Sequence, residues 1–452
     1  MLVGQILHEV CLKSTIRWSN MFHGLFTEYI HSKIKQSEIW GKTMVTLIFA
    51  AAGYNLAETT HMIEIAKESR KHFNVLFLSY GGKFEYLIEK ENFELIKGTP
   101  RLTDQKIEHL YGVNRGQKRS DYFTTAELEE RIQSELAVYE QYKPAAVVTG
   151  WSLGTILSTR VGKVPIVQVI ESTWTSEYYE QGMGTWPDSK DGLFCRICGE
   201  SYLNNKYNHD ALKFKDDIKP FNVLARKYDI PEFKNWYDLF ESEHTLLADI
   251  PEFANIPEHH ENRTFIGPLV TRLEGEVPEE VKKLKEVNEK LIYFAMGSTG
   301  DPNLIQDLLY AFGEQNYNVI APIKDMVEKH VLNVPSNVTV TGFVPAHKVN
   351  PMADVCVIHG GIGTVLNACL SGTPFVGVGL KPEQEANVEC CVRLGFAKRI
   401  KKKRLTAEAV LTAIDKLLAS KKAKHNIEAF KSKLEAWDAP VEATKYLIKH
   451  FQ

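Results

Sequence analysis

The run His359-Gly360-Gly361-Ile362-Gly363-Thr364 puts an imidazole, a hydroxyl and three glycines within six positions. Residues of these types at this spacing suit an anion. Ahead of the run, Val355-Cys356-Val357-Ile358 reads as a buried parallel strand. Behind it, Val365-Leu366-Asn367-Ala368-Cys369-Leu370 is helix-capable and stops at Ser371-Gly372-Thr373-Pro374. A strand, a glycine turn and a helix start leave backbone N–H groups bare. The positive end of the helix dipole points the same way, and glycines let a pyrophosphate come close.

The flanking segments supply partners for such a ligand. Pro374-Phe375-Val376-Gly377-Val378 reads as the next strand. Where it would end stands Pro382-Glu383-Gln384-Glu385-Ala386-Asn387, at the edge where open α/β sheets bind ligands. A carboxylate beside a carboxamide, Glu383 and Gln384, offers acceptors and donors to neighbouring sugar hydroxyls. Upstream, Leu291-Ile292-Tyr293-Phe294-Ala295 reads as a strand ending in the small-residue loop Met296-Gly297-Ser298-Thr299-Gly300. Between the two loops lies Val338-Thr339-Val340-Thr341-Gly342-Phe343-Val344-Pro345.

This set, in this order, resembles the donor-binding half of the UDP-glycosyltransferase superfamily, inverting transferases of the GT-B fold. The resemblance runs from about Met44 to the C-terminus. It includes Thr245-Leu246-Leu247-Ala248-Asp249-Ile250-Pro251-Glu252-Phe253 and Phe265-Ile266-Gly267-Pro268-Leu269. It implies an α/β protein with two Rossmann-like domains facing across a cleft and a C-terminal helix crossing back to the first. A UDP- or dTDP-sugar would be co-substrate, with no other cofactor and no metal. His359, Gly360, Gly361, Gly363 and Thr364 would hold the pyrophosphate, with Ser298 and Thr299 reaching it from the other loop. The turn at Val344 would face the nucleobase, and Glu383 and Gln384 the sugar.

The same resemblance raises a difficulty. Relatives carry a histidine after the glycine that ends the first strand, as general base for the acceptor hydroxyl. Here Gly53-Tyr54-Asn55-Leu56-Ala57-Glu58 places Tyr54 there. A phenol with a pKa near 10 is a poor base at neutral pH. Three readings stand: another residue such as Glu58, His61 or Asp121 serves; the acceptor is acidic enough to need no base; or the protein binds donor without transferring. Glu58, at the start of the following helix, is the leading candidate. The acceptor is expected near Gly53, Tyr54, Asn55, Gly81-Gly82 and Trp151. Ala346 and Asn367 depart from the pattern too, which blurs nucleotide and sugar identity.

Two other motifs invite chemistry. Gly150-Trp151-Ser152-Leu153-Gly154 has the form of a hydrolase nucleophile elbow, but in hydrolases a His-Gly-Gly loop precedes the nucleophile, and here it follows far downstream. Cys195-Arg196-Ile197-Cys198 has no second Cys-x-x-Cys to complete a zinc site and reads as a local, reduced pair. No Asp-x-Asp motif marks a metal-dependent transferase.

A chain of 452 residues suits two domains, and 44% hydrophobic with 25% charged residues describes a globular protein. A net charge of -3 gives no electrostatic case for nucleic acid. Seven cysteines without paired spacing or a secretory leader suggest a cytoplasmic setting. The expected divisions are an N-terminal helical extension (1–43), an acceptor domain (44–268), a linker (269–290), a donor domain (291–425) and a crossing helix (426–452). Within the extension, Trp18, Phe22, Leu25, Phe26, Tyr29 and Ile30 recur at helical spacing. That is either a helix packed on the body or, over residues 14–35, a peripheral membrane contact for a lipid acceptor. Two functions follow: an inverting transfer of sugar to a small-molecule or lipid acceptor, or a non-catalytic nucleotide-sugar-binding or partner protein.

Overall fold

Short strands whose residues are apolar at almost every position, such as Val355–Ile358, cannot keep one face in water, so they lie in sheets covered on both sides. The computed structural model describes residues 44–114, 118, 120–190, 197–258, 260–271, 274–284, 289–296 and 302–452. The expectations for residues 1–43, Ser298, Thr299 and Cys195 lie outside them.

The first sheet comprises β1 (Thr46–Ala50), β2 (Asn74–Ser79), β3 (Glu94–Lys97), β4 (Ala146–Thr149), β5 (Ile166–Ile170), β6 (His244–Leu247) and β7 (Arg263–Phe265), in the order β3-β2-β1-β4-β5-β6-β7. The second comprises β8 (Lys290–Ala295), β9 (Tyr317–Ala321), β10 (Val338–Val340), β11 (Val355–Ile358), β12 (Phe375–Gly377) and β13 (Ala397–Arg399), in the order β10-β9-β8-β11-β12-β13. Pairing between these strands is parallel throughout. Each sheet reverses its winding once, between β1 and β4 in the first and between β8 and β11 in the second. Such switch points open a crevice at the carboxyl ends of the strands. This is the two-domain α/β architecture expected from the sequence.

The helices among the described residues include α1 (Leu56–Ser69), α2 (Thr125–Tyr142), α3 (Thr155–Gly162), α4 (Ile362–Leu370), α5 (Pro382–Arg393), α6 (Lys421–Leu434) and α7 (Ala439–Phe451). The closing element is two helices rather than one. Pro440 near the start of α7 cannot continue a preceding helix, and Asp438 caps the new one by accepting from Val441 N. α6 stays on the second domain, where Phe430 packs against Phe396. α7 crosses to α1, with Ser69 and Thr444 hydroxyls 2.9 Å apart. The segment expected as linker also carries a short helix, Glu279–Leu284.

The domains meet through a buried ion cluster. Arg399 Nη2 lies 2.8 Å from Asp188 of the first domain and 2.8 Å from Glu385 of α5. Among the described residues, no helix is long and apolar enough to cross a membrane.

Candidate functional site

The second switch point is built around α4. Its cap, Gly361, has no side chain to offer, so the first N–H groups of the helix have no capping partner. Gly360 precedes it at φ +82°, and a Cβ there would come within 2.7 Å of the Gln384 carbonyl and of Val388. Only glycine lets this loop lie against α5. A Cβ on Gly363 would meet nothing within 4 Å, so space is open on that side. Thr364 lies half-buried in the same first turn.

His359 directly follows β11 and reaches across the switch point to a backbone hydrogen bond with Ala295, the last residue of β8. Its Nδ1 is buried without a partner. Burial holds the imidazole below its ordinary pKa, so it is neutral at pH 7. An unpaired buried ring nitrogen costs free energy that an incoming ligand can relieve.

The run that follows β12 forms the first turn of α5, so a second helix start faces the same space. Glu383 pairs with Lys381 at 3.1 Å and accepts from Asn387 Nδ2 at 2.7 Å. Gln384 is buried, and its Oε1 accepts from Leu380 N at 3.0 Å. That bond leaves the amide nitrogen, not the oxygen, for a ligand. Asn387 also donates to the Gly360 carbonyl at 3.2 Å and lies 3.5 Å from Thr173 of the first domain. It ties both donor loops to the opposite wall of the cleft. Val344 is buried, so only its backbone is available to a nucleobase, while the neighbouring Phe343 ring is 69% exposed.

At the first switch point, Glu58 on α1 accepts from Trp151 N, just past β4, at 2.9 Å. Its carboxyl is pushed up to about 7, chiefly by desolvation, with the Trp151 amide pulling the other way. Beside it stands a residue the sequence reading missed, Glu171, one position past β5. Burial pushes Glu171 up to about 8, and the charges of Glu58 and, from the second domain, Glu383 push in the same direction. Asp249 accepts from both the amide and the hydroxyl of Ser172 and so fixes this turn; burial lifts it to about 7. An acidic residue directly after the β-branched segment Ile166-Val167-Gln168-Val169-Ile170 was the available signal.

The remaining acceptor-side residues divide. Tyr54 is buried, and desolvation drives its hydroxyl well above the ordinary phenol value, which removes it as a base. Asn55 is occupied as the cap of α1, accepting from Ala57 N and Glu58 N. Gly53 packs so closely that a Cβ would meet the Ser79 hydroxyl at 2.6 Å. The Trp151 ring is half-buried and stacked on Phe240 at 4.7 Å. His61 is buried and lowered to about 4 by desolvation, and Asp121 is exposed. Ser152 of the elbow-like turn bonds to Arg131 and Thr155, with no histidine among its partners. Among the described residues no group of three or more His, Cys, Asp or Glu side chains is arranged to hold a metal ion.

Residues 306–449 match the family described as erythromycin biosynthesis protein CIII-like, C-terminal domain. A PGL/p-HBAD biosynthesis glycosyltransferase of Mycobacterium tuberculosis is 25% identical over 338 residues, 72% of this chain and 76% of that protein. The chain is similar in sequence and fold to glycosyltransferases of the UDP-glycosyltransferase superfamily. An inactive PGL/p-HBAD biosynthesis glycosyltransferase of Mycobacterium bovis is 26% identical over 199 residues, 42% of this chain and 52% of that one. In fold, the chain is similar to the kitacinnamycin glycosyltransferase, with TM-score 0.68, 18% identity, and 91% and 100% of the two chains covered. It is likewise similar to glycosyltransferase VinC in complex with dTDP, with TM-score 0.64, 15% identity, and 90% and 99% covered.

Proposed function

We propose that this protein is an inverting glycosyltransferase that moves a sugar from a UDP- or dTDP-sugar to a hydroxyl of a small-molecule or lipid acceptor. The observation that carries the proposal is the opposition of the two switch points. The uncapped start of α4 and the unpartnered His359 nitrogen stand on one side, and carboxyls raised to about 7 and 8 on the other. Similarity to a curated glycosyltransferase and to the VinC complex with dTDP supports the donor half of the reading.

In this mechanism the donor diphosphate lies on the α4 N-terminus, where Gly361 to Thr364 and His359 meet its charge. Glu383 and the Gln384 amide hold the sugar hydroxyls. The acceptor oxygen attacks the anomeric carbon from the face opposite the leaving group. The new carbon–oxygen bond forms as the bond to the diphosphate breaks, and Glu58 takes the acceptor proton. A base pKa near 7 leaves about half the carboxyl ionised at neutral pH, close to the optimum for general-base catalysis. Helix dipole and His359 supply the stabilisation that a metal would give elsewhere.

Thermal-shift screening against UDP, dTDP and GDP, then their sugars, tests the donor site, and NMR of the product tests the stereochemistry. Stabilisation by one nucleotide and its sugar, with inverted configuration at the product's anomeric carbon, is expected. Stabilisation with no product under any acceptor would support the non-catalytic alternative.

A further inference from the structure

Glu383, in the first turn of α5, is held at both carboxylate oxygens. Oε1 accepts from Asn387 Nδ2 at 2.7 Å, and Oε2 lies 3.1 Å from Lys381 Nζ. The ion pair is largely shielded from water, with the lysine side chain 25% exposed and the glutamate 15%. Ion pairs in full solvent contribute little, and shielding strengthens this one. A carboxylate fixed at both oxygens keeps one rotamer, so its remaining lone pairs point in set directions.

Both holds also cross the cleft. Asn387 lies 3.5 Å from Thr173 of the first domain. Lys381 donates at 2.8 Å to Asn114 Oδ1, at the end of the first-domain helix Asp104–Asn114. Asn114 bonds in turn to the Tyr122 hydroxyl. One turn back on the same helix, Tyr111 donates its hydroxyl to the Tyr54 carbonyl, in the loop after β1. A path of three polar contacts and one helical turn therefore joins that loop to Glu383, and Lys381 is its link between domains.

We infer that Lys381 is a positioning residue for the donor sugar, which holds Glu383 in its hydrogen-bonding pose and ties that pose to Asn114 across the cleft. This rests on the donor reading above, in which a sugar nucleotide meets Glu383 and a bare nucleotide does not.

Calorimetric titrations of UDP, UDP-glucose, dTDP and dTDP-glucose into the full chain test it. The same titrations, with melting curves, are run on Lys381→Met, Lys381→Arg, Asn114→Ala and the double variant Lys381→Met with Asn114→Ala. Lys381→Met should bind the sugar nucleotide about tenfold more weakly, the range of one charge-assisted bond, with bare-nucleotide affinity unchanged. Lys381→Arg should restore most of that loss. Asn114→Ala should cost about threefold on the sugar nucleotide alone, the range of one ordinary hydrogen bond. Adding it to Lys381→Met should cost nothing further, since both act through one path. Unchanged sugar-nucleotide affinity in folded Lys381→Met overturns the inference. So does an equal loss for bare nucleotide, which would make Lys381 a phosphate contact or a general prop. If Lys381→Met does not fold, Asn114→Ala decides by the same selective loss or its absence. A wild-type protein that binds none of these nucleotides sinks the donor reading and the positioning role with it, whereas nucleotide binding that the variants leave unaltered sinks the positioning role alone.

Discussion

Glu58 Oε2 and the Trp151 backbone amide stand 2.9 Å apart, which joins the first turn of α1 to the loop after β4. That bond holds a carboxyl with a pKa raised to about 7 at the mouth of the first switch point. Replacing Glu58 with Gln keeps the shape and removes the base. Turnover should fall about 10²–10⁴-fold with little change in nucleotide affinity. Tyr54→Phe should leave turnover within a few-fold, since the buried phenol does not ionise in the working range. In the wild-type protein kcat/KM should rise with pH through about 7 and then level off, because the ionised carboxyl is the active form. A flat profile would point to an acceptor that needs no base.

The pH dependence of stability should run the opposite way. Glu58, Glu171 and Asp249 have folded-state pKa values of about 7, 8 and 7, against 4.5, 4.5 and 3.8 unfolded. Between those limits the folded protein binds more protons than the unfolded chain, so its stability falls as pH rises. The contribution is complete below the unfolded values and lost through the folded ones. Melting temperature should therefore decline between about pH 5 and 8, and Glu171→Gln should flatten the decline.

His359→Ala should lower turnover by about 10²–10³, the loss of one donor aimed at the developing diphosphate charge. The neutral ring of the free protein should gain a proton when an anion arrives, since a nearby negative charge raises its pKa. Nucleotide affinity of the wild-type protein should rise more steeply on acidification than that of His359→Ala, as read by calorimetry.

Gly360→Ala tests the packing of the donor loop. At φ +82°, with the Gln384 carbonyl 2.7 Å from the added Cβ, the substitution strains the backbone as well as the contact. A cost of about 1–3 kcal/mol is expected, seen in chemical denaturation. Arg399→Met, which leaves Asp188 and Glu385 buried without their cation, should cost about 3–5 kcal/mol.

The donor loop was legible because its signal is local. A strand, two glycines and a helix start are consecutive in the chain, and the geometry at His359 follows from that order. The cleft was less so. Glu171 stands out only where β5 brings it beside Glu58, from a position far away in sequence. Asn55 reads equally well as a cleft residue or as a helix cap, and the two bonds it accepts decide for the cap. Val344 sits in the turn expected to meet the base, yet packing turns its side chain inward and leaves Phe343 outside. The break between α6 and α7 was written in Asp438 and Pro440, and Trp437 between them packs beneath Gly267.

Nucleotide release from UDP- and dTDP-sugars, with and without added acceptor, tests the central claim most directly. The account predicts release that depends on the acceptor in the wild-type protein and is lost in both Glu58→Gln and His359→Ala. Release that ignores the acceptor, or that survives in both variants, would contradict it.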